Sequence, residues 1–224
     1  MALVRRSRSG IRLGFAACVG ATVFLLVACS PTLKEIDQAK SLQNKSRFED
    51  LSRLEITCSA DDDGCNQLHL LKGDACFRLA KQAVDNGKKR SDLDCAVTHL
   101  STGIDMTKDW SQAEISRTDM YENLCESARL RADFGERQRF ENVLASCAHD
   151  LAGVAPDSPG AIYFESRADY YRLTRSGNAC SDWRALDARL ATAAQRFRSD
   201  PRYGAALAAL KATVGNDLGR NCGH

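Results

Sequence analysis

Apolar residues recur at helical spacing along most of the chain. Leu68, Leu71, Ala75, Leu79 and Ala83 form one stripe, and Leu93, Ala96, Val97, Leu100 and Ile104 the next. Tyr121, Leu124, Cys125 and Ala128 follow, then Phe140, Val143, Leu144, Cys147, Ala148 and Leu151. Two more stripes are Trp183, Leu186, Leu190, Ala193, Ala194 and Phe197, and Tyr203, Ala206, Leu207, Leu210 and Val214. No segment alternates with period two over a useful length, so strands are not predicted. Breakers separate the stripes: Asn86-Gly87, Gly135, the run APDSPG at 155–160, Ser176-Gly177-Asn178 and Asp200-Pro201. Pro201 suits the first turn of a helix, with Asp200 at or just before its N-cap. The pattern predicts an all-α fold of stacked antiparallel helical hairpins, starting near residues 64, 111 and 160. That period is long but compatible with an α-solenoid.

The N-terminus follows another logic. Residues 1–12 carry Arg5, Arg6, Arg8 and Arg12 and no acid, and residues 13–28 are uncharged. A basic stretch before an apolar run is the layout of a secretory signal. The run falls short of the ~20 residues of a permanent membrane span. It ends Leu26-Val27-Ala28-Cys29, which resembles a bacterial lipobox. That resemblance implies cleavage before Cys29, acylation of its thiol and usually of its new amine, and anchoring by several acyl chains. Ser30 in place of Asp resembles the sorting rule for the outer membrane. The expected organisation is therefore a signal peptide over 1–28, a lipidated Cys and tether over 29–45, and a disulfide-rich helical domain over 46–224.

Removal of the signal changes the charge. The whole chain has 31 basic and 29 acidic residues, formally +2. Four arginines leave with residues 1–28, so 27 bases face 29 acids and the formal charge becomes −2. A near-neutral chain without a basic, aromatic-laced stripe argues against nucleic acid as a partner. Lys88, Lys89 and Arg90, beside Asn86-Gly87, read as a solvated turn.

Export also decides how the ten cysteines are read. Cys18 leaves with the signal and Cys29 takes lipid. Cys58, Cys65, Cys76, Cys95, Cys125, Cys147, Cys180 and Cys222 remain, an even set in an oxidising space. Paired in chain order, their midpoints fall at Asp61-Asp62, Asp85-Asn86, Glu136 and Pro201, each at a turn signal or in an acidic turn-forming run. Residues equidistant from the turn of an antiparallel hairpin lie level with each other, where a Cα separation near ~5.5 Å is reachable. This selects 58–65, 76–95, 125–147 and 180–222, although Cys65 could instead meet Cys76 or another partner.

Phe164-x₃-Ala168-x₂-Tyr171 resembles the large, small, large pattern on the first helix of a tetratricopeptide repeat. Asp200-Pro201 resembles the acidic-Pro junction between such repeats, and bridged helical hairpins are similar to Sel-one-like repeats. The resemblance covers roughly 64–215 and implies a protein-binding scaffold. Lipoproteins of this kind resemble accessory or assembly factors of secretion, pilus or outer-membrane machines.

Catalytic and metal-binding patterns are sparse. CSADDDGCN at 58–66 offers Asp61 and Asp63 to an EF-hand reading, but Leu70 stands where the bidentate Glu belongs, so a disulfide-closed turn is expected. His69, His99, His149 and His224 include no i, i+3 or i, i+4 pair. There is no CxxC, phosphate-cradling Gly loop or GxSxG elbow. Glu126-Ser127 and Glu165-Ser166 match the acid dipeptide of lytic transglycosylases without the rest of that motif set. No enzyme, cofactor or metal site is expected. The unusual feature is the cluster Tyr163, Phe164, Tyr170, Tyr171 and Trp183, with Arg167, Arg172 and Arg175 in the same stretch. Aromatics at helical spacing are usually core. Tyr and Arg also anchor interfaces, so Tyr163, Arg167, Tyr170, Tyr171 and Arg175 are the candidate partner-binding residues, suited to an acidic or C-terminal peptide. The expectation is an outer-membrane lipoprotein facing the periplasm, held to the bilayer by Cys29 and binding another envelope protein. A peptidoglycan or ligand binder and a toxin-immunity lipoprotein are the rivals.

Overall fold

The computed structural model describes residues 31–111, 115–176 and 179–223. The signal segment 1–28, Cys29 and the break residues Gly177 and Asn178 lie outside the described residues. Nine helices follow one another within them: α1 (Pro31–Asn44), α2 (Phe48–Ser52), α3 (Cys65–Gln82), α4 (Asn86–Met106), α5 (Arg117–Ala132), α6 (Arg137–Val154), α7 (Pro159–Ser176), α8 (Cys180–Arg196) and α9 (Gly204–Cys222). No strand occurs among the described residues.

Local chemistry sets several of the starts. The Asp85 carboxylate accepts from the Lys88 amide at 2.7 Å and caps α4. Asn86-Gly87, expected in the break, therefore opens the helix, and the basic triplet 88–90 lies in its first turns. Ser116 caps α5 by accepting from the Asp119 amide at 3.2 Å. Gly64, at φ 83°, turns the chain into α3. Pro201, expected in the first turn of the last helix, stands three residues before it. The Asp200 carboxylate accepts from the Arg202 and Tyr203 amides at 2.9 and 2.7 Å and closes a separate turn there.

The helices form two layers. On one side α3, α5, α7 and α9 touch in succession, while α4, α6 and α8 each pack between chain neighbours on the other. The closer contact among the odd helices places them on the inner side of the stack. One core runs through it, with Leu100, Phe140, Leu144, Leu151, Phe164, Leu190 and Val214 buried. A second cluster joins Ile36, Ala39, Leu51, Leu68, Leu71 and Ala75.

That second cluster changes the reading of residues 31–45, which were expected as a tether. They form α1, and burial of Ile36 and Ala39 docks it on α3. Ile36 lies against Gly64, where a Cβ would collide with it, and Gln43 Nε2 donates to Asp74 at 3.5 Å. Helix α1 thus runs alongside α3 in the same direction. It starts at the end of the stack where α3, α5 and α7 also start. The α3–α4 and α5–α6 turns lie at the other end.

Four disulfides are present: 58–65, 76–95, 125–147 and 180–222, with Cα separations of 5.7, 5.9, 5.7 and 5.6 Å. They are the pairs that turn spacing selects. Two staple the hairpins α3–α4 and α5–α6, one joins the start of α8 to the end of α9, and one closes the loop before α3. In that loop Asp62 Oδ2 accepts from the Ser59 amide at 2.7 Å, which makes it a capped turn.

Buried charges lock neighbouring hairpins. Arg131 is 1% exposed, donates to Asp94 at 2.6 Å, to the Gly135 carbonyl at 3.0 Å and to Glu136 at 3.2 Å, and stacks on Phe140. It ties the α5–α6 turn to α4. At the other end, buried Glu122 of α5 meets the start of α7 at Gly160 and pairs with Arg202 of the α8–α9 turn. The Tyr203 hydroxyl donates to Glu122 as well. Burial pushes the Glu122 carboxyl above its ordinary pKa, and Arg202 opposes that shift.

Candidate functional site

The candidate residues on α7 separate into two groups. Tyr163 is buried, with its ring against Phe164 and Tyr203 at 5.0 and 5.7 Å, and belongs to the core rather than to a partner surface. Tyr170 faces α8 and α9. Its hydroxyl donates to Asp217 at 2.9 Å and its ring stands edge-on to Trp183. A helix packed on two sides pulls successive aromatics in different directions, which the linear cluster concealed.

Tyr171 and Arg175 come together with α6. With Arg137, Gln138, Glu141 and Thr174 they line an open cleft of about 420 Å³. Arg137 Nε donates to Glu141 at 2.7 Å, and Arg175 Nη1 donates to the other Glu141 oxygen at 3.1 Å and to Gln138. The Glu141 side chain is only 6% exposed, so one buried carboxylate serves two arginines. Its hydrogen bond holds the Arg137 guanidinium protonated above its ordinary pKa. Arg137 and Arg167 both lie over the Tyr171 ring, at 5.3 and 5.2 Å. Arg167 therefore supports the floor of the cleft through Tyr171. A smaller trough of about 230 Å³ shares Glu141, Tyr171 and Arg175 with the cleft and is lined also by Ala145, Ala148, Ala168, His149 and Glu165.

Sequence spacing did not point to Arg137, Gln138, Glu141 or Thr174. Arg137 and Glu141 are an i, i+4 pair that reads as surface charge, and only the placement of α7 makes them a wall. Two further juxtapositions were hidden by distance along the chain. His69 and His99, 30 residues apart, meet across α3 and α4 with Nδ1 atoms 2.9 Å apart. On the inner side, Asp74 accepts from Arg78 at 2.7 Å and Asn123 at 3.0 Å, in the wall of a groove of about 360 Å³ that Arg202 also lines.

Among the described residues no group of three or more His, Cys, Asp or Glu could hold a metal ion. No helix among them is long and apolar enough to cross a membrane. No family model, curated protein or solved structure matches the chain.

Two positioned guanidiniums in the cleft present forked N–H donors suited to a carboxylate or another oxyanion. Beside them an aromatic face and an alanine trough offer apolar contact.

Proposed function

We infer that the chain is an acylated envelope lipoprotein that works as a docking platform for another envelope protein, without catalytic activity of its own. The lipobox-like run ending at Cys29 supports the anchor. The observation that carries the reading is the direction of α1. It begins two positions after Cys29 and is packed along α3, so α1 starts at the end of the stack opposite the arginine cleft. A platform with that geometry holds its recognition cleft away from the bilayer by roughly the length of one helix, about 25 Å at 1.5 Å per residue. Glu141 of α6, paired with Arg175 of α7, ties the cleft walls together.

Two measurements test this. Mass spectrometry of the chain extracted from membranes is expected to find an acylated Cys29 at the mature N-terminus. A photo-crosslinking residue at exposed Thr174, introduced in the native cell, is expected to yield one discrete protein adduct. An unmodified Cys29 together with no adduct would refute the platform.

A further inference from the structure

Arg137 and Arg175, held by Glu141, give the cleft more hydrogen-bond donors than the protein consumes. A guanidinium carries five N–H donors. Arg137 turns one to Glu141, and Arg175 shares Nη1 between Glu141 and Gln138. The remaining donors belong to two side chains that line the cleft and that a single buried carboxylate holds in place. The local balance is positive: Arg137 and Arg175 against Glu141. An anion entering there replaces water on donors that are already oriented, which lowers the ordering cost of binding.

Shape narrows the class of anion. The cleft, about 420 Å³, adjoins the 230 Å³ trough lined by Ala145, Ala148 and Ala168, the two sharing Glu141, Tyr171 and Arg175. A lone phosphate would fill the arginine end and leave the trough empty. A polyphosphate chain would meet Glu165 and Asp169 beside that trough. A bilayer surface is excluded by position, since the cleft lies opposite the end from which α1 starts. An extended peptide fits all of these constraints.

We propose that the α6–α7 groove binds a peptide segment by its carboxylate, held between Arg137 and Arg175, with the adjoining apolar side chain along Ala145, Ala148 and Ala168. The carboxylate is a C-terminus or an acidic side chain; both present the same two oxygens to the arginine fork. This names the partner chemistry of the docking platform and rests on that reading for the partner's place in the envelope and for the exclusion of a bilayer surface.

The test uses the full acylated chain in detergent and the fluorescein-labelled hexapeptide Gly-Ser-Gly-Ala-Leu-Glu, read by anisotropy. Three versions separate the sources of the carboxylate: Glu with an amidated end, Gln with a free end, and Gln with an amidated end. Each peptide with a carboxylate is expected to bind at least about ten-fold more tightly than the neutral one. Arg137→Gln, Arg175→Gln and Thr174→Glu are each expected to weaken carboxylate binding by about ten-fold or more and to leave the neutral peptide's signal unchanged. Arg198→Gln, at the other end of the stack, is expected to bind as the parent does. Melting curves confirm that each variant folds, and Thr174→Glu removes no arginine.

Equal binding of the neutral peptide overturns the proposal. So does indifference to all three cleft variants, or no binding of any peptide up to about 1 mM protein. Competition by inorganic phosphate as effective as the unlabelled peptide overturns the peptide assignment. An acylated Cys29 and a Thr174 adduct without carboxylate selectivity would sink the groove and leave the platform. Carboxylate selectivity with a free thiol at Cys29 would do the reverse.

Discussion

Helices α3 and α4 meet backbone to backbone, whereas α6 and α7 share the core through residues such as Leu144 and Phe164 and are joined at one end by long charged side chains. In the first pair Gly73 faces Leu100 and Gly103 faces Leu70. A Cβ at Gly73 would stand 2.8 Å from the Leu100 amide nitrogen, and one at Gly103 2.9 Å from that of Leu70. Each helix offers a notch that takes the other's leucine, and Cys76–Cys95 fixes the register. The second pair has no glycine notch and no disulfide between its helices. Arg137, Glu141 and Arg175 span it instead, and a groove stays open beside them. The glycine notches leave no room for a ligand between α3 and α4; the open cleft at the end of α6 and α7 is lined by arginines that supply donors. The stack thus has a closed hairpin next to the α1 attachment and an open seam toward the far side.

The strongest way to break the contrast is to unstaple the closed pair. Cys76→Ser with Cys95→Ser is expected to cost about 2 to 4 kcal/mol, read as a fall in denaturant midpoint. Native-state hydrogen exchange should locate the loss in α3 and α4, with α6 and α7 amides keeping their protection. Equal loss in both pairs would mean that the hairpins do not differ in cohesion. A glycine comparison sharpens the point with opposite signs. Gly73→Ala forces two backbones apart and is expected to cost about 1 to 3 kcal/mol. Gly153→Ala, on α6 with nothing within 4 Å of its added Cβ, is expected to stabilise by up to about 1 kcal/mol.

The closed pair was legible in the sequence and the open seam was not. Apolar stripes on α3 and α4, a turn signal at Asn86-Gly87 and two cysteines level about it are local or symmetric features. They define a hairpin without reference to the rest of the chain. The seam depends on α6 and α7 approaching across the 155–158 loop, and no spacing rule reports that Arg175 reaches Glu141, 34 residues away. Tyr163 misled because aromatic content marks core and interface alike. Helix α1 was missed since two buried positions, Ile36 and Ala39, are too few to show a period. Arg131 reads as surface charge until Asp94, Gly135 and Glu136 close around it.

Acid should act on the closed pair through His69 and His99. Burial lowers the pKa of His99 to about 4, with Lys72 and His69 adding repulsion, and burial beside Lys72 lowers that of His69 too. Lys72 donates to the Leu54 carbonyl; burial lowers its own pKa and the Glu55 charge opposes that shift. The unfolded chain binds protons at the ordinary histidine value near 6.5 before the folded chain does, so stability falls as pH drops from about 6.5 toward 4. Partial exposure of the pair screens the effect to about 1 kcal/mol. His69→Gln with His99→Gln should flatten the decline of the melting temperature over that range. An unchanged slope would remove the histidines from the account.

The smallest single-residue effects belong to the open seam, and their smallness is informative. Arg137→Gln or Arg175→Gln alone leaves Glu141 one guanidinium, and both arginines are themselves largely exposed. Each single change is expected to cost no more than about 0.5 kcal/mol. The double variant strands a buried carboxylate and should cost more than the sum, with a coupling energy of about 1 kcal/mol in a double-mutant cycle. Strict additivity would mean that each arginine answers to solvent and not to Glu141. The seam would then be an accidental gap between helices, and its donors would not be held in advance for any ligand.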